Sequence, residues 1–261
     1  MGILSRERDG ELVGSGPSLA ARAAAGLVAP AAPALVREAL HGAGLDGGSR
    51  VVALEAGLGV GAAPALDARP RSWTGVDGDP LAVAHLRRAA AGPGRRAVHA
   101  APEATGLPDA CASIVVIDCA LATRDDDAAV ALLAEAVRLL ATSGRLVAIE
   151  PAPGRPGVDL EALRVAGVRP RGPRELRALA AGAGLVPVGT VDGPLRLRAP
   201  HELARAAGPR TAMALAREAV DERVRHAATT VRQALEEAAP RLRAVALVAE
   251  RPLVLGLRRP R

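Results

Sequence analysis

Short apolar runs alternate with longer helical patterns through the middle of the chain. Each short run has four or five residues and indicates a strand, and between the runs the apolar residues recur at helical spacing. The predicted strands cover residues 50–54, 72–76, 97–100, 114–117 and 145–149, and the predicted helices cover 80–91 and 128–140. Because strands that alternate with helices are joined by right-handed crossovers, the pattern predicts an α/β protein with a parallel, doubly wound sheet.

The two ends of the chain depart from this alternation. Residues 18–41 are helical in pattern and break near Pro30 and Pro33, which indicates two helices with a kink between them. The last third predicts a helix at 174–183, strand-like segments at 185–191 and 195–197, a helical stretch at 201–239 and a strand at 242–249. Gly208–Pro209 interrupts the long stretch and Pro240 closes it. We therefore expect inserted helices before an antiparallel last strand.

These patterns divide the chain into four parts. Residues 1–40 form an N-terminal helical segment or lid, 41–200 the α/β core, 201–240 a helical insertion, and 241–261 the last strand and tail. The insertion and the N-terminal segment either wall a binding pocket or only cover the sheet.

The composition removes several classes of enzyme. The 261 residues include no Lys, Asn, Phe or Tyr and a single Trp, Trp73, so all 34 basic residues are Arg. Without Lys there is no Schiff-base enzyme, no phosphate-binding loop ending in Gly-Lys and no kinase ion pair. Without Tyr there is no Tyr/Lys proton-transfer pair. The missing types share A/T-rich codons, so we attribute their absence to a G+C-rich genome.

The charge balance raises the question of nucleic acid, because clustered Arg binds phosphates. The net charge is +6 and the pI is near 11.0. The arginines are scattered, for example at Arg87, Arg88 and within 169–177, and Asp and Glu stand between them, which predicts a solvated surface. The aromatic platforms on which single strands stack are missing from the sequence. We therefore expect no nucleic-acid partner.

Cysteine usage and the longest apolar runs bear on location. Cys111 and Cys119 do not make a disulfide framework, and no Cys/His spacing resembles a metal site. No basic region followed by an apolar stretch opens the sequence, so a cytoplasmic location is expected. The longest uncharged runs contain Pro and fall short of a membrane span. We expect no membrane partner, and a homodimer stays open.

The most informative motif follows the first predicted strand and reads Glu55-Ala56-Gly57-Leu58-Gly59-Val60-Gly61. Glycines allow a sharp turn and a close backbone approach to a ligand, and the next helix offers free N–H groups. Alone, the string also fits an ordinary turn in a glycine-rich protein. Asp77 ends the next strand about twenty residues later, where a carboxylate can accept both ribose hydroxyls of an adenosine cofactor or only cap a helix. Together, the two features favour a bound nucleoside.

In this order the motifs resemble the class I S-adenosylmethionine-dependent methyltransferases, in particular the small-molecule branch related to type 11 and quinone-biosynthesis methyltransferases. The resemblance covers about residues 35–153. It includes the glycine motif, Gly-Val-Asp at 75–77, Glu103-Ala104-Thr105-Gly106-Leu107-Pro108, and Glu135 to Leu140 running into Ser143-Gly144-Arg145-Leu146. It implies S-adenosylmethionine as cofactor and a Rossmann-like fold with a seven-stranded, mostly parallel sheet.

The resemblance also implies a set of cofactor-binding residues at the ends of the strands: Glu55, Ala56, Gly57, Gly59, Gly61, Asp77, Gly78, Glu103, Ala104, Asp118 and Cys119. The glycines would lie against the methionine and ribose parts, Glu55 would reach the methionine ammonium, and Asp77 would hold the ribose. Glu103 would face the adenine amino group, although it also fits the cap of a turn. Asp118 and Cys119 would face the methyl group and the acceptor, and Cys119 equally fits a small buried residue.

The sequence departs from the family pattern at three places. Ala112-Ser113 stands where the family commonly has Phe-Asp, Ala122-Thr123 where it often has His, and Thr142-Ser143-Gly144 where it has Pro-Gly-Gly. These departures weaken any expectation of efficient catalysis. They leave the cofactor motifs intact.

The sequence assigns no catalytic residue and offers only candidates. If the acceptor must lose a proton, Asp118 and Glu150 are the candidate bases, because they follow the fourth and fifth strands, at the edge where open α/β sheets bind ligands. His201 and His226 in the inserted helices are further options. All four also fit residues with no catalytic role.

The predicted function is transfer of a methyl group from S-adenosylmethionine to a small, apolar metabolite at O, C or N. Positioning and exclusion of water would supply much of the rate of this in-line displacement. One alternative is a non-catalytic cofactor-binding or partner-binding protein on the same fold. A second is a nicotinamide-dependent oxidoreductase, which here lacks its commonest acid–base pair. The composition predicts a cofactor pocket lined by Leu, Val and Ala, with Trp73 as the one aromatic candidate.

Overall fold

The centre of the molecule is a mixed sheet. The structure is a computed structural model, and it describes residues 18–27, 31–59 and 63–253. The strands are β1 (Arg50–Leu54), β2 (Ser72–Asp77), β3 (Arg95–His99), β4 (Ala112–Asp118), β5 (Leu140–Pro153), β6 (Val186–Pro194) and β7 (Leu242–Glu250). Their order is β3-β2-β1-β4-β5-β7-β6, with β7 antiparallel to both neighbours and the other pairs parallel. The predicted seven-stranded, mostly parallel sheet is confirmed.

Local sequence signals explain several helix ends. The helices are α1 (Leu19–Ala25), α2 (Pro33–Gly42), α3 (Ala63–Asp67), α4 (Pro80–Ala89), α5 (Asp126–Leu139), α6 (Glu161–Val165), α7 (Pro173–Gly182), α8 (Pro200–Glu218) and α9 (Glu222–Ala238). Asp79 and Asp125 accept backbone N–H groups as the N-caps of α4 and α5. Pro begins α2, α4, α7 and α8, where its fixed φ suits a first helical residue.

Helices cover both faces of the sheet. Successive strand residues point to opposite sides, and both sets are apolar. On one side α5 and α7 pack on residues that include Val52, Val115 and Leu146. On the other side α2, α3 and α4 pack on residues that include Val51 and Ile114. The result is the doubly wound arrangement that the alternating pattern predicts.

Helices α1, α8 and α9 form a cap over the edge where the parallel strands end. Leu19 of α1 packs with Leu58 of the glycine motif and Leu203 of α8. Ala25, at the other end of α1, belongs to an apolar cluster with Leu235 of α9. The N-terminal and inserted helices, which lie far apart in sequence, therefore meet above the carboxyl edge of the sheet.

The inserted helices differ in part from the prediction. At Gly208 the backbone has φ 70° and ψ 166°, so α8 is kinked at the predicted interruption. The single stretch expected over 201–239 is wrong, because the chain also breaks between α8 and α9, where Asp221 accepts the N–H of Val224 at 3.4 Å. Residues 195–197 are not a strand, since β6 already ends at Pro194. Pro30, near the first expected kink, lies outside the described residues.

Gly75→Ala should lower the free energy of unfolding by about 1–3 kcal/mol, because it overpacks the core. An added Cβ would lie 2.4 Å from Cη2 of Trp73, whose side chain is fully buried. Gly189→Ala is the matched control, since no atom lies within 4 Å of a Cβ added there. Urea denaturation of both variants measures the difference, and equal stabilities would contradict the packing of the ring on β2.

Candidate active site

The candidate site lies where β1 and β4 end side by side. Leu54 pairs in register with Ile117, so Glu55 and Asp118 follow at the same level of the sheet. The direction of winding reverses between these strands, because β2 lies beyond β1 and β5 lies beyond β4. Open α/β sheets bind ligands at such a switch point. The glycine motif and the predicted acceptor-facing residue therefore lie at one place.

Both strands are followed by backbone in the left-handed region. Glu55 has φ 54° and Cys119 has φ 57°, values that carry about 1–3 kcal/mol of strain for a residue with a side chain. Gly57 and Gly59 also have positive φ, 54° and 68°, and glycine adopts them without that strain. Strained backbone of this kind clusters at ligand-binding sites. The sharp turn expected from the glycines is present.

Asp77, at the end of β2, holds the glycine turn. Its carboxylate accepts the N–H of Gly57 at 2.8 Å and the N–H of Asp79 at 2.9 Å. The N–H of Ala56 donates to the carbonyl of Val76 at 3.1 Å, which ties the same turn to β2. The structure thus brings Asp77 and the motif together, and their role toward a cofactor stays a prediction.

Arg22 of α1 lies in front of Asp77. Its Nη2 donates to both carboxylate oxygens of Asp77, at 3.0 and 3.3 Å, and its Nη1 lies 3.3 Å from a carboxylate oxygen of Glu55. Nη1 also donates to the Glu55 carbonyl at 3.3 Å. Burial alone would lower the pKa of Arg22, but the charges of Asp77 and Glu55 outweigh it and raise that pKa. Arg22 is therefore a permanently charged partner of both carboxylates.

Arg124 forms ion pairs with Glu55 and with Glu103. It follows β4, and its side chain is completely buried. Its Nη1 donates to Glu55 and to the carbonyl of Ala120, and its Nε donates to Glu103 at 2.8 Å. Three of the four carboxylates predicted to hold a cofactor, Glu55, Asp77 and Glu103, thus share two buried guanidinium groups within the protein.

Two further predicted residues, Gly78 and Ala104, make fewer contacts. The carbonyl of Gly78 lies 3.2 Å from Nε2 of His99. Ala104 is exposed beside Glu103. Gly61 lies outside the described residues.

Asp118 carries a buried oxygen with no protein partner. Its Oδ1 makes no hydrogen bond within the part of the chain that the structure describes. Burial raises the pKa of Asp118 to about 7, against the opposing charges of Arg198 and Arg22. Cys119 follows it, buried, and burial raises the pKa of its thiol. Because buried polar atoms are nearly always hydrogen-bonded, Oδ1 points to a partner other than the residues that the structure describes.

Glu150 has both of its carboxylate oxygens bound. The side chain is fully buried within β5, one position beyond the level at which β4 ends, and its oxygens accept the N–H groups of Leu121 and Ala122, each at 2.9 Å. Burial raises the pKa of Glu150 to about 8. These contacts favour a structural role, holding the loop after β4, over the role of base. His201 and His226 are exposed on α8 and α9.

Two expectations from composition are wrong. Arg22, Arg124 and Arg171 are 3–6% exposed, so they do not belong to a solvated surface. No local signal marks them, because Arg22 stands in an Ala-rich helix and its partner Asp77 is 55 positions away. Trp73 is fully buried against Gly75 and the α2–α4 side of the core, so it does not line the site.

The residues at this edge fit S-adenosylmethionine, the cofactor that the resemblance implies. Carboxylates suit an ammonium, a ribose and an adenine amino group, because all three donate hydrogen bonds. Gly57 and Gly59 allow the backbone to approach a ligand closely. The same carboxylates already accept hydrogen bonds from Arg22 and Arg124, so a ligand at Asp77 competes with a protein side chain.

The described residues contain neither a metal-binding group of side chains nor a helix that could span a membrane. In the ranges 18–27, 31–59 and 63–253, no group of three or more His, Cys, Asp or Glu side chains is placed to hold a metal ion. Over the same ranges, every helix is too short or too polar to cross a bilayer.

Comparison with known families places part of the site in a matched domain. A family model described as a methyltransferase domain matches residues 54–148, which include the glycine motif, Asp77, Glu103 and Asp118. A comparison with curated proteins finds no significant match.

Solved structures share the fold at low sequence identity. The [4+2]-cyclase SpnF aligns with a TM-score of 0.64 and 20% identity, over 84% of this chain and 80% of its own. The 1,6-didemethyltoxoflavin-N1-methyltransferase of Burkholderia thailandensis aligns with a TM-score of 0.56 and 19% identity, over 85% and 79%. A geranyl diphosphate methyltransferase aligns with a TM-score of 0.57 and 18% identity, over 84% and 78%. Likeness at this identity shows the fold.

Arg124→Met should lower the free energy of unfolding by about 3–5 kcal/mol, because it removes a buried cation that Glu55 and Glu103 share. Arg164→Met is the control, since Arg164 pairs with Glu161 at 3.7 Å on the surface, where ion pairs contribute about 0–1 kcal/mol. Urea titration measures both. A loss no greater than that of the control would contradict the buried ion pairs.

Asp118→Asn should reduce the loss of stability between about pH 4 and pH 7. The pKa of Asp118 is raised to about 7 in the folded protein, so the folded state keeps a proton that the unfolded state releases. That contribution to stability is present below pH 4 and is lost as the pH rises to 7. Urea titrations at several pH values measure the slope, with the surface variant Asp109→Asn as control. An unchanged slope in Asp118→Asn would contradict the burial of this carboxyl group.

Proposed function

We propose that this chain, whose residues 54–148 match a methyltransferase domain, is a class I S-adenosylmethionine-dependent methyltransferase that methylates a small, apolar metabolite by in-line displacement. The proposal is carried by one observation: the glycine turn and three buried or nearly buried carboxylates converge on the switch point of the sheet. The matched domain is that of a methyltransferase and lends no support to a nicotinamide-dependent oxidoreductase.

The cofactor roles follow from the placement of each group. When bound, S-adenosylmethionine supplies a methyl group activated by its sulfonium. We assign Asp77 to the ribose hydroxyls, because it lies against Gly57. We assign Glu55 to the methionine ammonium and Glu103 to the adenine amino group. The other predicted residues, Gly78 and Ala104 among them, would contribute backbone contacts.

Asp118 is the acceptor-facing group in this proposal. Its unpartnered Oδ1 can accept a hydrogen bond from an acceptor hydroxyl or amine. With a pKa of about 7 it can also take the proton that such a nucleophile loses. Glu150 lacks a comparable free oxygen, so Asp118 is the better candidate of the two.

The surroundings of Asp118 favour an apolar acceptor. Cys119 belongs to a cluster that joins α1, α6 and α9 and includes Leu27, Leu163, Val231 and Leu235. Two structural neighbours are methyltransferases described with small molecules, geranyl diphosphate in one and 1,6-didemethyltoxoflavin in the other. Helices α8 and α9 would then cap the acceptor side. The four-part division of the chain, the homodimer and the cytoplasmic location stay predictions.

A non-catalytic cofactor-binding or partner-binding protein is the second candidate. It is favoured by the departures from the family pattern, because Ala112-Ser113 stands where the family commonly has Phe-Asp and Ala122-Thr123 where it often has His. One structural neighbour is described as a [4+2]-cyclase, and one fold can support several chemistries, so the fold alone does not establish methyl transfer. Cofactor binding without methyl transfer to a broad panel of acceptors would support this candidate.

S-adenosylhomocysteine should bind the purified chain, and Asp77→Ala should weaken the binding at least about tenfold. Hydrogen bonds to a charged group contribute about 1.5–3 kcal/mol, and 1.4 kcal/mol corresponds to tenfold. Calorimetric titration measures the affinity. Asp109→Ala is the control, because Asp109 is an exposed carboxylate away from the glycine turn. No binding at millimolar ligand would refute the proposal, and an unchanged affinity in Asp77→Ala would remove the ribose assignment.

A further inference from the structure

Arg22 uses the hydrogen-bonding capacity that Asp77 would offer to a ribose. A carboxylate has about four lone-pair positions. At Asp77, Oδ1 accepts from the N–H of Asp79 and from Arg22, and Oδ2 accepts from the N–H of Gly57 and from Arg22. The backbone donors belong to the turn itself. Arg22 is therefore the partner that a ligand would replace.

Helix α1 also fills the space in front of the glycine turn. A Cβ added at Gly57 would lie 3.6 Å from Nη1 of Arg22 and 3.7 Å from Cδ1 of Leu19. Glycines of this turn are the positions that let a ligand approach the backbone. In this structure the group that approaches is a protein side chain.

The contacts that hold α1 in place come from the same edge of the sheet. The N–H of Leu19 donates to Asp79 at 2.8 Å, and Asp79 is also the N-cap of α4. Leu19 packs on Leu58 of the motif and on Leu203 of α8. The N-cap residue Asp79, the glycine turn and α8 thus form one contact surface for α1, a helix of seven residues.

The length of α1 and a buried polar atom of Arg22 limit the stability of the docked helix. A seven-residue helix is too short to be stable by itself, so it depends on these contacts. It ends at Gly26, where φ is 79° and glycine adopts the turn without strain. The Nε of Arg22 is buried and has no partner among the described residues, which weakens the docked arrangement.

We propose that α1, together with its flanking residues 18–27, is a lid that blocks the cofactor site, with Arg22 bound to Asp77 in place of the ribose hydroxyls. Cofactor and Arg22 are then alternative partners of one carboxylate, and α1 leaves the glycine turn when the cofactor binds. The apparent affinity for the cofactor is then the intrinsic affinity multiplied by the fraction of molecules in which α1 is undocked. This inference rests on the proposed function, because it concerns access to the same site.

Hydrogen exchange of the unmodified chain tests the lid directly. Saturating S-adenosylhomocysteine should speed amide exchange in residues 19–25 at least about threefold and slow exchange around Gly57 and Asp77. A ligand that closes a lid would instead slow exchange in both segments. Slower or unchanged exchange in α1 upon binding would overturn the proposal.

Arg22→Met gives an independent readout. It removes the internal competitor, so S-adenosylhomocysteine should bind at least about fivefold more tightly than to the unmodified chain. Arg37→Met is the matched control, since Arg37 is exposed on the neighbouring helix α2. Weaker binding by Arg22→Met would identify Arg22 as a cofactor contact and would overturn the lid.

The two proposals fail in different ways. If the lid is wrong but the proposed function is right, the ligand binds and slows amide exchange around Gly57 and Asp77. Exchange in α1 is then slower or unchanged, and Arg22→Met binds the ligand more weakly than the unmodified chain does. If the proposed function is wrong, neither the unmodified chain nor Arg22→Met binds the ligand, and both proposals fall. Should Arg22→Met not fold, the exchange experiment on the unmodified chain still decides.

Discussion

Three carboxylates at the carboxyl edge of the sheet, those of Glu55, Asp77 and Glu103, impose the constraint on which the cap depends. An ionised carboxylate removed from water destabilises the fold strongly unless a cation and hydrogen bonds accompany it. Arg22 and Arg124 supply the cations, one from the helix before the sheet and one from the loop after β4. The cap and the glycine turn are therefore linked by charge as well as by apolar packing.

The loop after β4 is held by groups that have no direct contact with the candidate ligand site. Glu150 accepts two backbone N–H groups of this loop, and Arg171 donates to the carbonyl of Leu121 and to Asp126 at 2.7 Å. Their effect is to place Arg124 between its two carboxylates. Removing Glu150 or Arg171 would thus act on the site through the position of Arg124.

The geometry of the edge agrees with a methyltransferase fold and adds a feature of its own. The positive φ values at Glu55 and Cys119 and the unpartnered Oδ1 of Asp118 are what a ligand-binding edge shows. The buried guanidinium groups are the added feature, since they convert a set of free acceptors into internal ion pairs. Access to the site then depends on the position of α1 as much as on the residues that face the ligand.

The sequence by itself determined the layers of the fold and the local motifs from which the candidate site is built. Local patterns can be recognised without knowledge of the fold, and they include the alternating strands and helices, the glycine motif and Asp77. The kink in α8 is also predicted by two adjacent residues, Gly208 and Pro209. The break between α8 and α9 is harder to predict, because Asp221 caps α9 within a long helical pattern.

Only the tertiary structure decided which charges are buried and how they pair. Arg22 and Asp77 are 55 positions apart, and Arg124 and Glu55 are 69 apart, so no periodicity connects them. Among 34 arginines, the few that are buried look like the exposed ones until the sheet brings their partners close. The same holds for Glu150 and Asp118, two carboxylates at neighbouring strand ends. One is satisfied by backbone N–H groups and the other keeps an oxygen without a described partner, because burial and pairing are properties of the folded neighbourhood.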